Sequence, residues 1–290
     1  MIDYKEPSVA VVYIARGAGA GGPSAVGAFL EAFRNNPPEF PHRLVILAKG
    51  WDYVQGLPNL INQAQLLGAH LEILPDDGFD WGAYMRIAPN LKERFICLLN
   101  THSCPLVPGW LAIMMKNILQ PGVGAVGATG SWGTISGVWP LFEADTISLL
   151  MYPLRLFIEF IRVCRNISEF PAMPNPHLRS NALLVPRDIF VSFCKGRKIP
   201  RNKRDAHLLE SGRNGFTSYL RSSNLQVLIV NSTGAAYTPE MWINSGTFRQ
   251  DLQLNLLVSD NQTRLYQSAG LKLKRRLENA AWGKALTNSI

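Results

Sequence analysis

Cysteine is scarce and scattered in this chain: Cys97, Cys104, Cys164 and Cys194 are the only four among 290 residues. They show neither paired metal-ligand spacing nor a C-x-x-C redox pair, so they read as structural thiols, with Cys97 inside an apolar strand pattern. A signal-peptide pattern is lacking too, because the first residues, MIDYKEPS, are polar and the first apolar run is only strand-length. A reducing, cytoplasmic compartment is therefore expected. Long apolar runs are missing as well. The most apolar region, residues 137–165, is interrupted by Glu143, Asp145, Arg155, Glu159 and Arg162, so it lacks the roughly 20 apolar residues in a row that cross a bilayer. Acidic residues are outnumbered, 21 against 29 basic ones, for a net charge of +8. That balance favours an anionic partner: nucleotide phosphates, an acidic membrane surface or nucleic acid. The basic residues concentrate in 195–204 (KGRKIPRNKR) and 272–276 (KLKRR), and the lack of interleaved aromatics disfavours nucleic acid. The chain also has no G-x-x-x-x-G-K-[ST] loop, no H-E-x-x-H helix and no G-x-S-x-G elbow.

An apolar content of 47% is ample for a core. Residues 9–15 (VAVVYIA) form a continuous apolar run of buried-strand type, followed by a glycine-rich loop at 17–22 and a helix over about 23–33. Strands at 44–48, 71–74, 95–99 and 123–129 alternate with helices at 57–67 and 108–119. This alternation predicts an α/β fold with a mostly parallel sheet flanked by helices. Beyond Pro153, Arg155, Glu159 and Arg162 form a narrow polar stripe on a helix that is otherwise apolar. That helix reads as packed on the core or on a partner, with a membrane-surface helix as the alternative. A proline-rich connection at 170–176, a strand at 180–185, a helix over 205–220, a strand at 225–230 and a C-terminal helix over 260–277 complete the pattern. One catalytic domain over 1–230 with a C-terminal extension, 231–290, is expected.

Three constellations carry chemistry. Gly17, Gly19 and Gly22 match G-x-G-x-x-G between strand and helix, with Arg16 just before as a phosphate ligand. Asp52 is the only acid placed to hold a ribose, although it falls late for a dinucleotide fold. Asp76, Asp77 and Asp80 lie between the third strand and a helix whose start Asp80 could cap. In the same segment Gly78 and Gly82 permit close approach, and Trp81 and Tyr84 could stack on a base or sugar. The next strand ends in Asn100, Thr101, His102 and Ser103, and polar groups at a strand's carboxyl end mark ligand sites in such sheets.

The order of strand, loop, D-x-G-x-D-x-G-A-Y, helix, strand and polar tetrad resembles the nucleotide-binding half of GT-A-fold glycosyltransferases, particularly family-two-like enzymes and rhamnan-synthesis-type rhamnosyltransferases. The resemblance covers about residues 9–129 and more loosely extends to 228. It implies a GT-A-like, Rossmann-related fold and transfer of a hexose or deoxyhexose from a nucleotide-sugar donor to a saccharide acceptor in polysaccharide assembly. In such enzymes a D-x-D motif after the fourth strand holds a divalent metal, whereas Asn100-Thr101-His102 stands here. Asn and His bring no negative charge for Mg²⁺ or Mn²⁺, so a divalent metal stays open but disfavoured, no metal ligand is assigned, and a metal-free site would need cations at the diphosphate. Arg16, His102, Arg179 and the 195–204 run are available. The donor set implied is Arg16, Gly17, Asp52, Asp76, Asp77, Asp80, Asn100, His102, Ser103 and Arg179. The base of an inverting transfer is expected early in the helix after the next strands, with Glu210 first, Asp205 second and His207 a partner; the bland reading places Asp205 at that helix's N-cap. Trp242, Arg249, Asp260, Asn261 and Arg264 suit sugar or diphosphate contact, or equally the anchoring of a C-terminal tail. Two other readings stay open: an NAD(P)-dependent oxidoreductase built on Gly17–Gly22, and a silent transferase-like binding protein. Peripheral contact at an inner membrane surface also stays open, and the oligomeric state is undetermined.

Overall fold

The computed structural model describes residues 9–17, 19, 21–51, 56–136 and 152–283. Asp52 and the apolar stretch 137–151 lie outside the described residues. The first half is a run of βα units: β1 (Val9–Arg16), α1 (Gly22–Asn35), β2 (His42–Lys49), α2 (Leu57–Leu66), β3 (His70–Leu74), α3 (Phe79–Ile87) and β4 (Phe95–Leu99). The short β5 (Cys104–Pro105), α4 (Trp110–Ile118), β6 (Val123–Gly127) and β7 (Gly130–Ser131) follow. After α5 (Tyr152–Glu169) come β8 (His177–Leu178), β9 (Leu183–Pro186), α6 (Arg187–Cys194), α7 (Lys203–Ser211), α8 (Phe216–Ser222) and β10 (Gln226–Val230). The chain closes through β11 (Ala236–Tyr237), β12 (Val258–Ser259), α9 (Asn261–Ser268) and α10 (Leu271–Trp282).

Eight strands make one sheet in the order β11-β10-β6-β9-β4-β1-β2-β3. Strands β1 to β4 pair in parallel, as do β6 and β10, while β9 runs antiparallel between β4 and β6 and β11 runs antiparallel on the edge. Six of the eight strands therefore share a direction, as the βα alternation predicts. The innermost strands are buried on both faces: Val9 to Ala15 and Phe95 to Leu99 are at most 4% exposed, which is why they read as unbroken apolar runs. One core layer holds Phe29, Trp110 and Met114 beneath α1 and α4; the other holds Trp81, Tyr84, Phe190 and Phe216 beneath α3, α6 and α8.

Two helices expected to be continuous are each broken in two. The 205–220 segment splits into α7 and α8 because Gly212 and Gly215 fold against the last turn of α7, where a Cβ on Gly212 would stand 2.6 Å from the Leu208 carbonyl. The 260–277 segment splits at Ala269 and Gly270, both extended. Helix α6 was not foreseen, since its FVSFC core is short and flanked by basic residues. The C-terminal segment is tied into the fold: β11 joins the main sheet, β12 pairs with β5, and Trp242 is fully buried with its Nε1 donating to the Tyr237 carbonyl. Trp242 is thus a core residue and not a surface for sugar stacking.

Candidate active site

The strand order steps outward from β1 to β2 and β3, then jumps back to β4 on the other side of β1. Loops diverge at such a switch point and leave a crevice at the strands' carboxyl ends. A cleft of about 1040 Å³ occupies that place, walled by Arg16 from β1, Lys49 from β2, Asp76 to Asp80 from the β3–α3 loop, Asn100 to His102 after β4, and Lys198 to Arg201 with Lys203 on the far side.

Six cations and three carboxylates line it: Arg16, Lys49, Arg86, Lys198, Arg201 and Lys203 against Asp76, Asp77 and Asp80. Two of the acids are paired. Arg16 reaches Asp76 at 3.3 Å, and Arg86 forks onto Asp77 at 2.7 and 2.8 Å, a hydrogen-bonded pairing that holds the Asp77 carboxyl below its usual range. Lys49 is 3% exposed and is spent on main chain, donating to the Asp77 and Phe79 carbonyls at 2.7 and 2.8 Å; burial pushes its pKa down, against the pull of Asp80 and Asp76. Asp80 is different. Its carboxyl faces the cleft, half-buried, with no hydrogen bond or ion pair among the described residues. Desolvation raises its pKa to about 6; Lys49 opposes that shift and the nearby Glu210 carboxylate adds to it. The cap of α3 is Gly78 at φ 69°, so Asp80 lies inside the first turn and does not cap the helix as the sequence implied. Gly78 and Gly82 serve the close approach of Ile199, whose methyl would lie 2.7 and 3.0 Å from a Cβ at those positions. That contact seats the basic segment against the acidic loop.

The tetrad after β4 divides in two. Asn100 and His102 line the cleft with the mostly buried Thr101, while Ser103 is fully buried behind them. Asn100 Oδ1 accepts from the His102 amide at 3.0 Å, with the Ser103 hydroxyl 3.2 Å away. The Ser103 hydroxyl also donates to the Asn181 carbonyl. Arg264 donates twice to the His102 carbonyl at 3.2 Å. Burial, with the Arg264 charge, lowers the His102 pKa and favours neutral imidazole. Of the oxygen donors here, Asn100 Oδ1 already accepts from an amide and Asp76 and Asp77 face guanidinium groups, which leaves Asp80 as the cleft carboxylate without a partner among the described residues; no cluster of three His, Cys, Asp or Glu side chains occurs among them.

The remaining expected residues lie around the cleft. Gly17 is used for backbone packing, since its amide donates to the Lys49 carbonyl at 2.8 Å and a Cβ would meet Gly50 O and the Trp51 ring at 2.7 Å. Gly22 packs on Gly17 in turn, so both glycines are accounted for without a dinucleotide. Arg179 is engaged elsewhere, 2.7 Å from the buried Asp260 and over the Phe248 ring. On α7, Glu210 accepts from the Ser180 amide at 3.1 Å, Asp205 accepts from the Arg201 amide at 3.0 Å, and the N-cap is Asn202, not Asp205. None of Asp205, His207 and Glu210 lines the cleft, although Glu210 acts electrostatically on Asp80. Trp81 and Tyr84 point into the core, with Trp81 stacked near Phe190 at 5.9 Å, so neither offers a ring to a ligand. Lys49 was missed by sequence reading, although a lysine closing an apolar strand was the available signal.

No protein-family model matches the chain, and no curated protein matches it in sequence. Among solved structures it is similar to the mannosyltransferase PcManGT from Pyrobaculum calidifontis, in complex with GDP-Man and Mn²⁺, at 13% identity and TM-score 0.46 over 77% of this chain and 54% of that one. It is also similar to glucosyl-3-phosphoglycerate synthase from Mycobacterium tuberculosis at 13% identity and TM-score 0.36, over 63% and 57% of the two chains. A third, 4-diphosphocytidyl-2C-methyl-D-erythritol synthase from Anaerococcus prevotii, aligns at 9% identity and TM-score 0.44 over 77% and 87%. The chain spans about half the length of the first two, and nothing about its chemistry rests on likenesses this distant.

Proposed function

We propose that this chain is a nucleotide-sugar glycosyltransferase that meets the donor's diphosphate with side-chain cations in place of a metal. The observation that carries the reading is the cleft at the switch point, where Lys198, Arg201 and Lys203 make no ion pair among the described residues and face a loop of three aspartates. A diphosphate fits between unpaired cations, while the acids and Asn100 suit sugar and ribose hydroxyls. Arg16, Asp76, Asp77, Asn100 and His102 form the donor wall, and Asp52 remains an expected ribose ligand. Ser103 supports this wall through its contact with Asn100, whereas Arg179 is held at Asp260.

In a single displacement, the acceptor hydroxyl oxygen bonds to the anomeric carbon as the bond to the diphosphate oxygen breaks. Its proton passes to a carboxylate, and the leaving diphosphate keeps the electron pair. Asp80 is the carboxyl best placed to take that proton, being in the cleft and free of hydrogen bonds, with a pKa near 6 that suits a base at neutral pH. Glu210, the first expectation from sequence, stands behind it and tunes it. A hexose or deoxyhexose donor, a saccharide acceptor and a role in polysaccharide assembly complete the proposal.

The test is release of nucleoside diphosphate from a panel of nucleotide sugars, in EDTA and in Mn²⁺, with saccharide acceptors. Release that persists in EDTA supports the reading; no release and no donor binding under either condition rejects it.

A further inference from the structure

We infer that α5 and the arginines at its C-terminal end form a docking face for an anionic phospholipid surface. The helix touches the rest of the fold along a narrow stripe, with Val163 and Asn166 buried on it and Phe170 buried just beyond its end. Among the described side chains the other large apolar ones face outward: Phe157 is 60% exposed, Ile158 54%, Phe160 54%, Ile161 50% and Ile167 48%. At 100° per residue Phe157, Phe160, Ile161 and Ile167 fall within an arc of about 120°, with Cys164 between them and Ile158 beside Arg165 at one edge. Sequence alone favoured packing of the helix on the core or on a partner; the core contact uses the side of Val163 and Asn166, opposite this arc.

Charge decides the occupant. Arg162 and Arg165 follow one edge of the apolar arc by helical position. At the helix end, Arg213 donates to the Ile167 and Ser168 carbonyls at 3.0 Å, and Arg204 pairs with Asn166 and Glu169. Arg165 reaches the same Glu169 at 3.1 Å. Arg197 and Arg213 line a hollow of about 320 Å³ beside Ser168 and Glu169. Arg165 and Arg204 pair with Glu169, and Arg197 and Arg213 line the same hollow while donating to main-chain carbonyls, so positive charge exceeds negative at this end of the helix. In an isologous pair the apolar arc would meet its own copy, but the arginines beside it would gain no anionic partner. A membrane interface accepts both features: the apolar arc enters the acyl boundary, and the arginines meet lipid phosphates. No helix among the described residues is long and apolar enough to span a bilayer, so the contact is a surface one.

The experiment is vesicle flotation with the full chain, using phosphatidylcholine alone and phosphatidylcholine containing a quarter phosphatidylglycerol. Binding is expected to the anionic vesicles and to weaken at least fivefold between about 0.1 M and 0.5 M salt, as screening requires. Phe157→Ser/Phe160→Ser/Ile161→Ser should lower binding at least tenfold with an unchanged far-ultraviolet circular dichroism spectrum, and Arg162→Gln/Arg165→Gln should lower it while leaving the apolar arc intact. No binding to anionic vesicles overturns the inference, as does a folded triple variant that binds like the wild type. A dimer in light scattering that the triple substitution abolishes, without vesicle binding, assigns the face to a second copy instead.

Discussion

The Lys49 ammonium donates to the Phe79 carbonyl at 2.8 Å, so the end of β2 holds the turn that carries Asp80. Phe79 sits at φ 54° and Gly78 at φ 69°, a left-handed pair that a non-glycine residue enters at a cost of about 1 kcal/mol. The lysine, with its second bond to Asp77, offsets that cost and leaves the Asp80 carboxyl open to the cleft. Lys49→Met should therefore destabilise the fold by about 2 kcal/mol in urea unfolding. It should also slow nucleoside diphosphate release at least tenfold, because the acidic loop is no longer held.

Asp80→Asn separates chemistry from stability. As the proposed proton acceptor, its loss should lower kcat by about 10²–10⁴ while donor affinity stays within a few-fold. Stability should move the other way. A carboxyl raised to about 6 in the folded chain opposes folding once pH exceeds its unfolded value near 4. The asparagine variant should thus be more stable at pH 7.5, by about 1–2 kcal/mol after allowing for solvent screening, with the gain vanishing below about pH 4. Glu210→Gln should lower the Asp80 pKa and shift the acid limb of the pH–rate profile downward. If Glu210→Gln abolishes turnover and Asp80→Asn does not, Glu210 is the base.

Lys198, Arg201 and Lys203 are predicted to bind the diphosphate. Replacing all three with alanine should weaken binding of a nucleoside diphosphate about 10–100-fold and flatten its salt dependence, measured by calorimetry. Thermal stability should change little, since none of the three makes an ion pair among the described residues.

Arg179 is predicted to be structural. Burial alone would raise the Asp260 carboxyl, but Arg179 and the Thr263 hydrogen bonds outweigh it and hold the pKa below the usual range. This contribution is present above the unfolded pKa near 4 and is lost as pH falls through the lower folded value. Arg179→Met should cost about 3–5 kcal/mol at pH 7 by leaving the buried carboxylate unpaired. The difference from wild type should shrink as pH falls, first as the unpaired Asp260 of the variant takes up a proton and then as the wild-type carboxylate titrates at its lowered pKa, below about pH 4.

Much of the fold was legible because its cause is local. The 9–15 and 95–99 runs are apolar on both faces, and such runs are strands buried in a sheet between helices. The acidic loop and the tetrad after β4 were visible for the same reason: polar residues placed where strands end. Helix breaks at 212–215 and 269–270 were not legible, since a single glycine is compatible with a continuing helix until tertiary packing draws the chain away. Trp81, Tyr84 and Trp242 looked like ligand platforms, but an aromatic ring beside polar neighbours carries no mark of which way it turns.

Residue order alone determined that a parallel sheet would gather Arg16, Asp76 to Asp80 and Asn100 to His102 at one edge, because βα alternation leaves every parallel strand ending on the same side. Only the tertiary structure decided what faces them. Ile199 packs on Gly78 and Gly82, bringing Lys198, Arg201 and Lys203 across a sequence separation of about 120 residues. It also turned Arg179 away to Asp260 and left Asp80 as the one cleft carboxyl without a partner among the described residues. Contacts between distant segments depend on which surfaces fit and which charges find each other, and neither is written in local pattern.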